Sequence, residues 1–196
     1  MLVLHAPLRA LIAVNSVHLW IGRHLAWIAL ALMVCAILAQ VIFRYLLGNA
    51  LAWSEEGARF LMLWMTGLIA PSAYRWGGFV AIDMVPRALP RITGLVLNLS
   101  LLFVAAVVLA ISIRIGWNDM TGFGGRFASP SLKVPLSLIG GEDIAFRRAW
   151  MMGALVVGSV MMFLVNIELI LRNLVALLDP EREPPMDRAM ISAGAD

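Results

Sequence analysis

Four stretches of the chain are apolar over nearly the length a helix needs to cross a bilayer, and charged residues stand between them. Residues 25–43 (LAWIALALMVCAILAQVIF) carry no charge between His24 and Arg44, and residues 92–113 carry none between Arg91 and Arg114. Residues 57–74 hold only Arg59 before Arg75, and residues 149–167 run uncharged from Arg148 to Glu168. About twenty residues, at about 1.5 Å of rise each, cover a hydrocarbon core roughly 30 Å thick. The pattern predicts an all-α integral membrane protein with four transmembrane helices, at about 25–45, 57–75, 92–113 and 149–171. An amphipathic segment over 1–24, carrying Arg9 and Arg23, reads as a surface-lying helix leading into the first span. The competing reading, a signal peptide, lacks a small-residue cleavage site before that span. Residues 76–91 (WGGFVAIDMVPRALPR) suit an ordered interfacial loop or a short helix parallel to the membrane. The glycines, prolines and aromatics of 114–148 suit a loop dipping into the interface. The membrane domain then covers 25–172, and 173–196 is expected to be a polar, mobile tail.

Within the spans, small residues mark faces where another helix can come close. Ala31, Cys35 and Ala39 recur every four positions in the first span, and Ala154 and Gly158 make a small-xxx-small pair in the fourth. The few polar groups have structural readings. Gln40 is expected to bond a neighbouring helix, while Asn98 and Ser100 bond a neighbour or the i−4 carbonyl. Glu168 pairs with Arg172 one turn on, at the membrane boundary. Arg44 and Tyr45 are interfacial anchors. Pro71 removes a backbone donor and should kink the second span near its end.

Composition supports this class: 62% of residues are hydrophobic and 14% charged, too apolar for a soluble domain of 196 residues. The net charge of +3 does not point to nucleic acid, because the arginines flank apolar segments. A single cysteine, Cys35, excludes an intramolecular disulfide. Four spans put both termini on one side, and basic residues divide almost evenly. Arg9, Arg23, Arg75, Arg87, Arg91, Arg172, Arg182 and Arg188 fall on the terminal side. Arg44, Arg59, Arg114, Arg126, Lys133, Arg147 and Arg148 fall on the other. Discounting the long 114–148 section leaves the termini in the cytoplasm.

The densest polar chemistry lies at Trp53 to Leu68 (WSEEGARFLMLWMTGL). Ser54 is an N-cap residue, and Glu55 and Glu56 stand in the first turn, where the helix dipole favours negative charge. Arg59 follows them by four and three positions, so either carboxylate can reach it. One reading is a capped helix entrance with an interfacial ion pair. The other is a site, since charges at a membrane boundary cost free energy unless paired or hydrated.

Reactive chemistry is sparse. All three histidines precede the first span, which leaves no intramembrane pair for haem or a di-histidine metal site. No nucleophile elbow, HExxH, P-loop or dinucleotide motif occurs, and TGFGGRF is a lone glycine cluster. The spans show no internal repeat of the kind secondary carriers use. The chain is read as a non-enzyme without cofactor or metal.

Arg44-Tyr45, a short turn, Trp53-Ser54-Glu55-Glu56, Arg59, then Arg75 with Gly77 and Gly78, Ala81-Ile82-Asp83 and the Pro86 to Arg91 segment resemble the small permease subunit of tripartite ATP-independent periplasmic (TRAP) transporters, the DctQ-like family. SPSLKVPLSLI at 129–139 is similar to that family's loop before the last span, so the resemblance covers most of 25–172. Trp76, Phe79 and Val80 depart from the basic or histidine-bearing stretch usual after the closing arginine, and GGEDIAFRR is more charged than the pattern. The resemblance implies a bacterial inner-membrane partner of a large permease subunit that holds the ion and substrate sites, supplied by a periplasmic solute-binding protein. It implies import of organic acids, often carboxylates, on a sodium gradient. Trp53, Ser54, Glu55, Glu56, Arg59, Arg75 and Asp83 would then form a subunit-interface or structural cluster, with membrane lipid around the chain. The alternatives from other classes are a small electron-transfer or quinone-binding membrane subunit and a self-sufficient four-helix carrier.

Overall fold

The computed structural model describes residues 2–49, 51–77, 90–134 and 144–178. Four long helices dominate: α1 (Leu2–Tyr45), α2 (Ser54–Arg75), α3 (Arg91–Thr121) and α4 (Arg148–Leu178). A 3-10 turn (Gly124–Arg126) and two antiparallel strands, β1 (Ala128–Val134) and β2 (Ile144–Arg147), lie between α3 and α4. In space the helices run α1, α2, α4, α3, and α1 also touches α4. The centre of the array is α4: 39% of its most apolar eighteen residues are buried inside the chain, against 6% for α3 at the edge.

Among the described residues three helical segments are long and apolar enough to cross a membrane: Leu8–Tyr45, Ile92–Thr121 and Arg148–Leu178. The second of the four expected spans does not reach that level. Glu55, Glu56, Arg59 and Arg75 occupy its ends, and Pro71, Ser72 and Tyr74 dilute its last turns.

The N-terminal segment is not a separate surface helix. α1 is continuous from Leu2 to Tyr45, and its buried positions Asn15, Leu19, Gly22, Ala26 and Ala29 keep a three- and four-residue spacing straight through Arg23 and His24, with Ala36 seven residues on. Arg23 does not interrupt the helix, and its guanidinium lies 4.7 Å from the centre of the Trp76 ring. The buried stripe also relocates the packing face of α1. Ala31 and Cys35 are exposed and Ala39 is half-buried. At about 100° per residue Ala31 points roughly opposite Ala29, so the small stripe of 31, 35 and 39 faces away from α2 and α4.

α1 and α2 are joined by the expected short turn, which falls at Gly48 and Asn49. Gly48 takes φ +64°, a left-handed conformation that glycine adopts without cost, and the Asn49 amide returns to the Phe43 carbonyl at 3.0 Å. α2 continues through Pro71 to Arg75, with Pro71 buried. Pro71 has no N–H to give the Gly67 carbonyl, and it is at Gly67 that α4 approaches most closely. A Cβ on Gly158 would stand 2.9 Å from the Gly67 Cα, and one on Gly67 would stand 2.6 Å from the Ala154 carbonyl oxygen. Ala154 and Gly158 thus pack on α2 through a third small residue, Gly67.

Polar side chains gather at two levels. Gln40 and Ser54 meet at one, and Asn15, Arg75 and Glu168 at the other. Along α1 these levels are about 37 Å apart and along α2 about 31 Å, close to the roughly 30 Å of a hydrocarbon core. α3 extends beyond the expected 113 to Thr121, and α4 beyond the expected 171 to Leu178. The added α4 turns are held from within, Val175 being buried and Asn173 accepting from Asn98 Nδ2 at 3.1 Å. Ser100 bonds its own i−4 carbonyl, that of Val96. The tail from 179, and the 78–89 part of the expected interfacial segment, lie outside the described residues.

Candidate functional site

The predicted cluster divides between the two ends of α2. At the N-terminal end α2 begins at Ser54, but Ser54 does not cap it: no side-chain cap bond forms, and Trp53 holds the capping position. Buried Ser54 instead places Oγ 2.5 Å from the Gln40 side-chain amide and 2.8 Å from the Leu51 carbonyl. The Gln40 side-chain oxygen and the Leu51 carbonyl share the Ser54 hydroxyl proton, and the 2.5 Å separation suits O–H···O rather than N–H···O. Gln40 thereby bonds a neighbouring helix as its sequence position suggested, as the acceptor. Trp53 lays its ring edge against Gly57, 3.6 Å from where a Cβ would stand.

The two glutamates have different partners. Glu55 pairs with Arg59 at 2.5 Å, both side chains largely exposed at 72% and 67%. A pair so exposed adds little to stability. Glu56 turns the other way and accepts from the β-hairpin. Its Oε2 takes bonds from the Ser129 and Ser131 hydroxyls and from the Ser131 and Leu132 amides, the latter two at 3.2 and 3.1 Å.

The register of the hairpin explains why those donors are free. Ala128 pairs with Arg147 and Lys133 with Ala145, so β1 has more residues than β2 between the paired positions and bulges over 129–132. Bulged amides have no strand partner, and Glu56 supplies one. Four hydrogen bonds to the charged form hold its carboxyl below the usual glutamate range, the Ser129 hydroxyl first among them, against a smaller opposing effect of burial. A run of aromatic contacts fixes the other strand: the Phe146 ring meets Phe60 at 4.9 Å and Trp150 at 4.8 Å, and Trp64 Nε1 donates to the Trp150 carbonyl at 3.1 Å.

Arg75 lies at the far end of α2 and takes no part in this. It donates through Nε and Nη2 to Glu168 Oε1, at 3.1 and 3.0 Å, and through Nη1 to Ser16 Oγ at 3.0 Å. Arg172 reaches the same oxygen at 2.5 Å, and Asn15 Nδ2 donates to Oε2 at 2.6 Å. The Glu168–Arg172 pair occurs as expected, and Glu168 is fully buried inside the helix array at 0% exposure. Asn15 also donates to the Leu164 carbonyl at 3.2 Å. Both neighbours of its Nδ2 are acceptors, so only this orientation of the amide fits. One carboxylate thus ties α1, α2 and α4. Asn166, equally buried, adds a second tie, donating to the Leu102 carbonyl of α3 at 3.0 Å and accepting from the Tyr74 hydroxyl at 2.7 Å.

Three residues of this node had a signal in the sequence. Glu168 and Arg172 are spaced for a pair, and Arg75 and Glu168 end the expected second and fourth spans, which would finish on one side of the bilayer. Asn15 and Ser16 had none, because they lie in what read as a surface segment. Nor did Ser129 and Ser131, whose role depends on a bulge. Arg44 and Tyr45 close α1 with exposed side chains, the guanidinium 5.8 Å from the ring centre. Asp83 lies outside the described residues, and among those described no group of three His, Cys, Asp or Glu is placed to hold a metal ion.

The geometry is that of a membrane scaffold whose polar groups bond one another. Comparison with curated proteins gives no match. A family model does match, that of the DctQ component of tripartite ATP-independent periplasmic transporters, over residues 33–176, and it takes in α2, the hairpin, α3 and nearly all of α4. That span is well over half of the sequence, and the chain belongs to this family.

Proposed function

We propose that the chain is the non-catalytic small membrane subunit of a TRAP-type importer of organic acids, carboxylates in particular, driven by a sodium gradient. In this reading it lies in the bacterial inner membrane with its termini in the cytoplasm, and braces a large permease subunit that carries the ion and substrate sites. α2 crosses the bilayer as a fourth span. Its length fits the core, and it is sheltered between α1 and α4, which lowers the demand on its own hydropathy.

The observation that carries the reading is the direction in which polar and apolar groups face. Glu168, Asn166 and Asn15 use their hydrogen bonds inside the helix array. The outward stripe of α1, by contrast, is exposed and apolar at Val14, Val17, Ile21, Leu25, Ile28 and Leu32. Its spacing of three and four residues suits packing by another long helix. Ala31, Cys35 and Ala39 prolong that outer side toward the α1–α2 turn. The large subunit is placed against it, and the Glu56-held hairpin, on the periplasmic side in this orientation, helps dock the solute-binding protein.

The test is reconstitution. The chain, the large subunit and the binding protein together should accumulate an organic acid in liposomes when sodium is supplied outside. Bulky polar substitutions at Val17, Leu25 and Leu32 should release the large subunit on co-purification. Accumulation or turnover of a solute by this chain alone would overturn the proposal in favour of a self-sufficient carrier.

A further inference from the structure

Where α1 and α2 diverge below their turn, they leave an open groove of about 500 Å³. That is within the roughly 300–1,000 Å³ of small-molecule sites. Its floor is apolar, formed by Met33, Ile37 and Val41 of α1 and Ala58 and Met62 of α2. Its head is charged, with Arg44 at the last turn of α1 and Arg59 near the start of α2. Met33 lies about 16 Å along the helix from Arg44, so charge and apolar floor are separated along the membrane normal.

Two features define the occupant. The head carries two guanidiniums and one carboxylate, Glu55, leaving one positive charge unmatched. Glu55 engages a single nitrogen of Arg59, and among the described residues the one interaction of Arg44 is with the Tyr45 ring. Most of their donors remain available, in the planar arrangement that suits a phosphate. The groove also opens sideways, since Ile37, Val41 and Met62 are exposed on the surface that meets the acyl chains. An occupant that enters from there must be apolar over most of its length.

We propose that this groove is a binding site for an anionic phospholipid, with the phosphate held between Arg44 and Arg59 and one acyl chain along Ile37 and Met62. The site requires only that the chain lie in a bilayer and not that it serve a transporter, so failure of either idea leaves the other standing.

The test uses the full chain in nanodiscs of phosphatidylcholine containing a small fraction of phosphatidylglycerol, with retained lipid counted by native mass spectrometry after extraction. The wild-type chain should retain phosphatidylglycerol over phosphatidylcholine. The Arg44→Gln/Arg59→Gln variant should lose about thirtyfold of that preference, the factor expected for two arginines near an anionic surface at about 1 kcal/mol each. Met62→Trp, at a half-exposed position, should fill the floor and lower retention of phosphatidylglycerol with the arginines intact. Equal retention of the two lipids by the wild type, or an unchanged preference in the double variant, would overturn the proposal. So would displacement of phosphatidylglycerol by millimolar glycerol phosphate, which would make the site one for a soluble anion. Exclusion of the lipid once the large subunit is bound would assign the groove to a protein interface and overturn it equally.

Discussion

Arg75 and Glu168, ninety-three positions apart in sequence, meet through two hydrogen bonds to one carboxylate oxygen. Glu168 is fully buried and Arg75 is 14% exposed. Burying a carboxylate is costly unless it is paired and its lone pairs are used. Arg75, Arg172 and Asn15 meet both conditions, and because they come from three helices the pairing also fixes how those helices register. The cost of the charge is thereby converted into a geometric constraint, set near one end of an otherwise apolar array.

The energetic ranking at this node follows from which groups are orphaned. Glu168→Leu leaves Arg75 and Arg172 facing each other with no anion between them, and should cost about 3–5 kcal/mol, as for breaking a buried pair. Arg75→Met or Arg172→Met leaves the other arginine on the carboxylate and should cost about 1.5–3 kcal/mol each, the worth of a hydrogen bond to a charged group. Unfolding followed by intrinsic fluorescence in detergent checks the order. An equal loss in all three variants would show that the two arginines do not substitute for one another.

Glu55 and Glu56 are adjacent in sequence and opposite in consequence. Glu56→Ala strands two backbone amides and two hydroxyls on the bulged strand, so hydrogen exchange at Ser131 and Leu132 should accelerate by about tenfold or more, as expected for loss of charge-assisted bonds. Glu55→Ala removes only an exposed pair and should leave exchange there within about twofold. Mass-spectrometric exchange on peptides covering 128–134 separates the two.

How much of this could be read beforehand depended on how local the cause was. The short turn after Tyr45, the interhelical bond of Gln40, the Glu168–Arg172 spacing and the Ala154–Gly158 pair each arise within a few residues, and each has its counterpart in the fold. The helix array and the family were legible for the same reason, through apolar runs and the block from Trp53 to Arg75. Arg23 and His24 gave no sign that the helix runs on through them, because a charge in an apolar run reads as a break, whereas a long arginine can send its guanidinium several ångströms along the helix to Trp76. The spacing of Ala31, Cys35 and Ala39 identifies a face without saying which way it turns, and within the chain it turns away from α2 and α4. Ser54 is a favourable cap by type, yet its hydroxyl is engaged by Gln40 and Leu51. The seat of Glu56 was the least legible feature, since it rests on a strand irregularity and a partner seventy-three residues away.

The depressed Glu56 carboxyl carries a pH dependence with a definite sign. Its ordinary value is 4.5, and the Ser129 and Ser131 bonds lower it in the folded chain. The folded state therefore binds fewer protons, and the stabilisation is complete above about pH 4.5 and lost as pH falls through the lower, folded value. Exchange protection at Ser131 and Leu132, corrected for intrinsic rates, should stay level from neutral pH down to about pH 5 and decline in stronger acid. In Glu56→Gln that acid decline should vanish. A decline centred near neutral pH would point to a different titrating group.

Gly67 and Gly158 set how closely α2 and α4 approach, and alanine at either position tests the contact with a single methyl group. At Gly67 the new Cβ would stand 2.6 Å from the Ala154 carbonyl oxygen, and at Gly158 it would meet Gly67 backbone at 2.9 Å. Backbone atoms cannot rotate aside, so the helices must separate. The expected cost is about 1–3 kcal/mol, as for overfilling a packed core. Separation also draws on the Arg75–Glu168 bonds, which lie on the same two helices, so these variants should sensitise the chain to Arg172→Met beyond additivity. Gly57→Ala provides the opposite case. Its Cβ would find nothing closer than the Trp53 ring at 3.6 Å, and removing a helical glycine should stabilise the chain by about 0.5–1 kcal/mol. Thermal unfolding of the three alanine variants in one detergent decides it. If Gly158→Ala behaves like Gly57→Ala, α2 and α4 are not held together at this crossing.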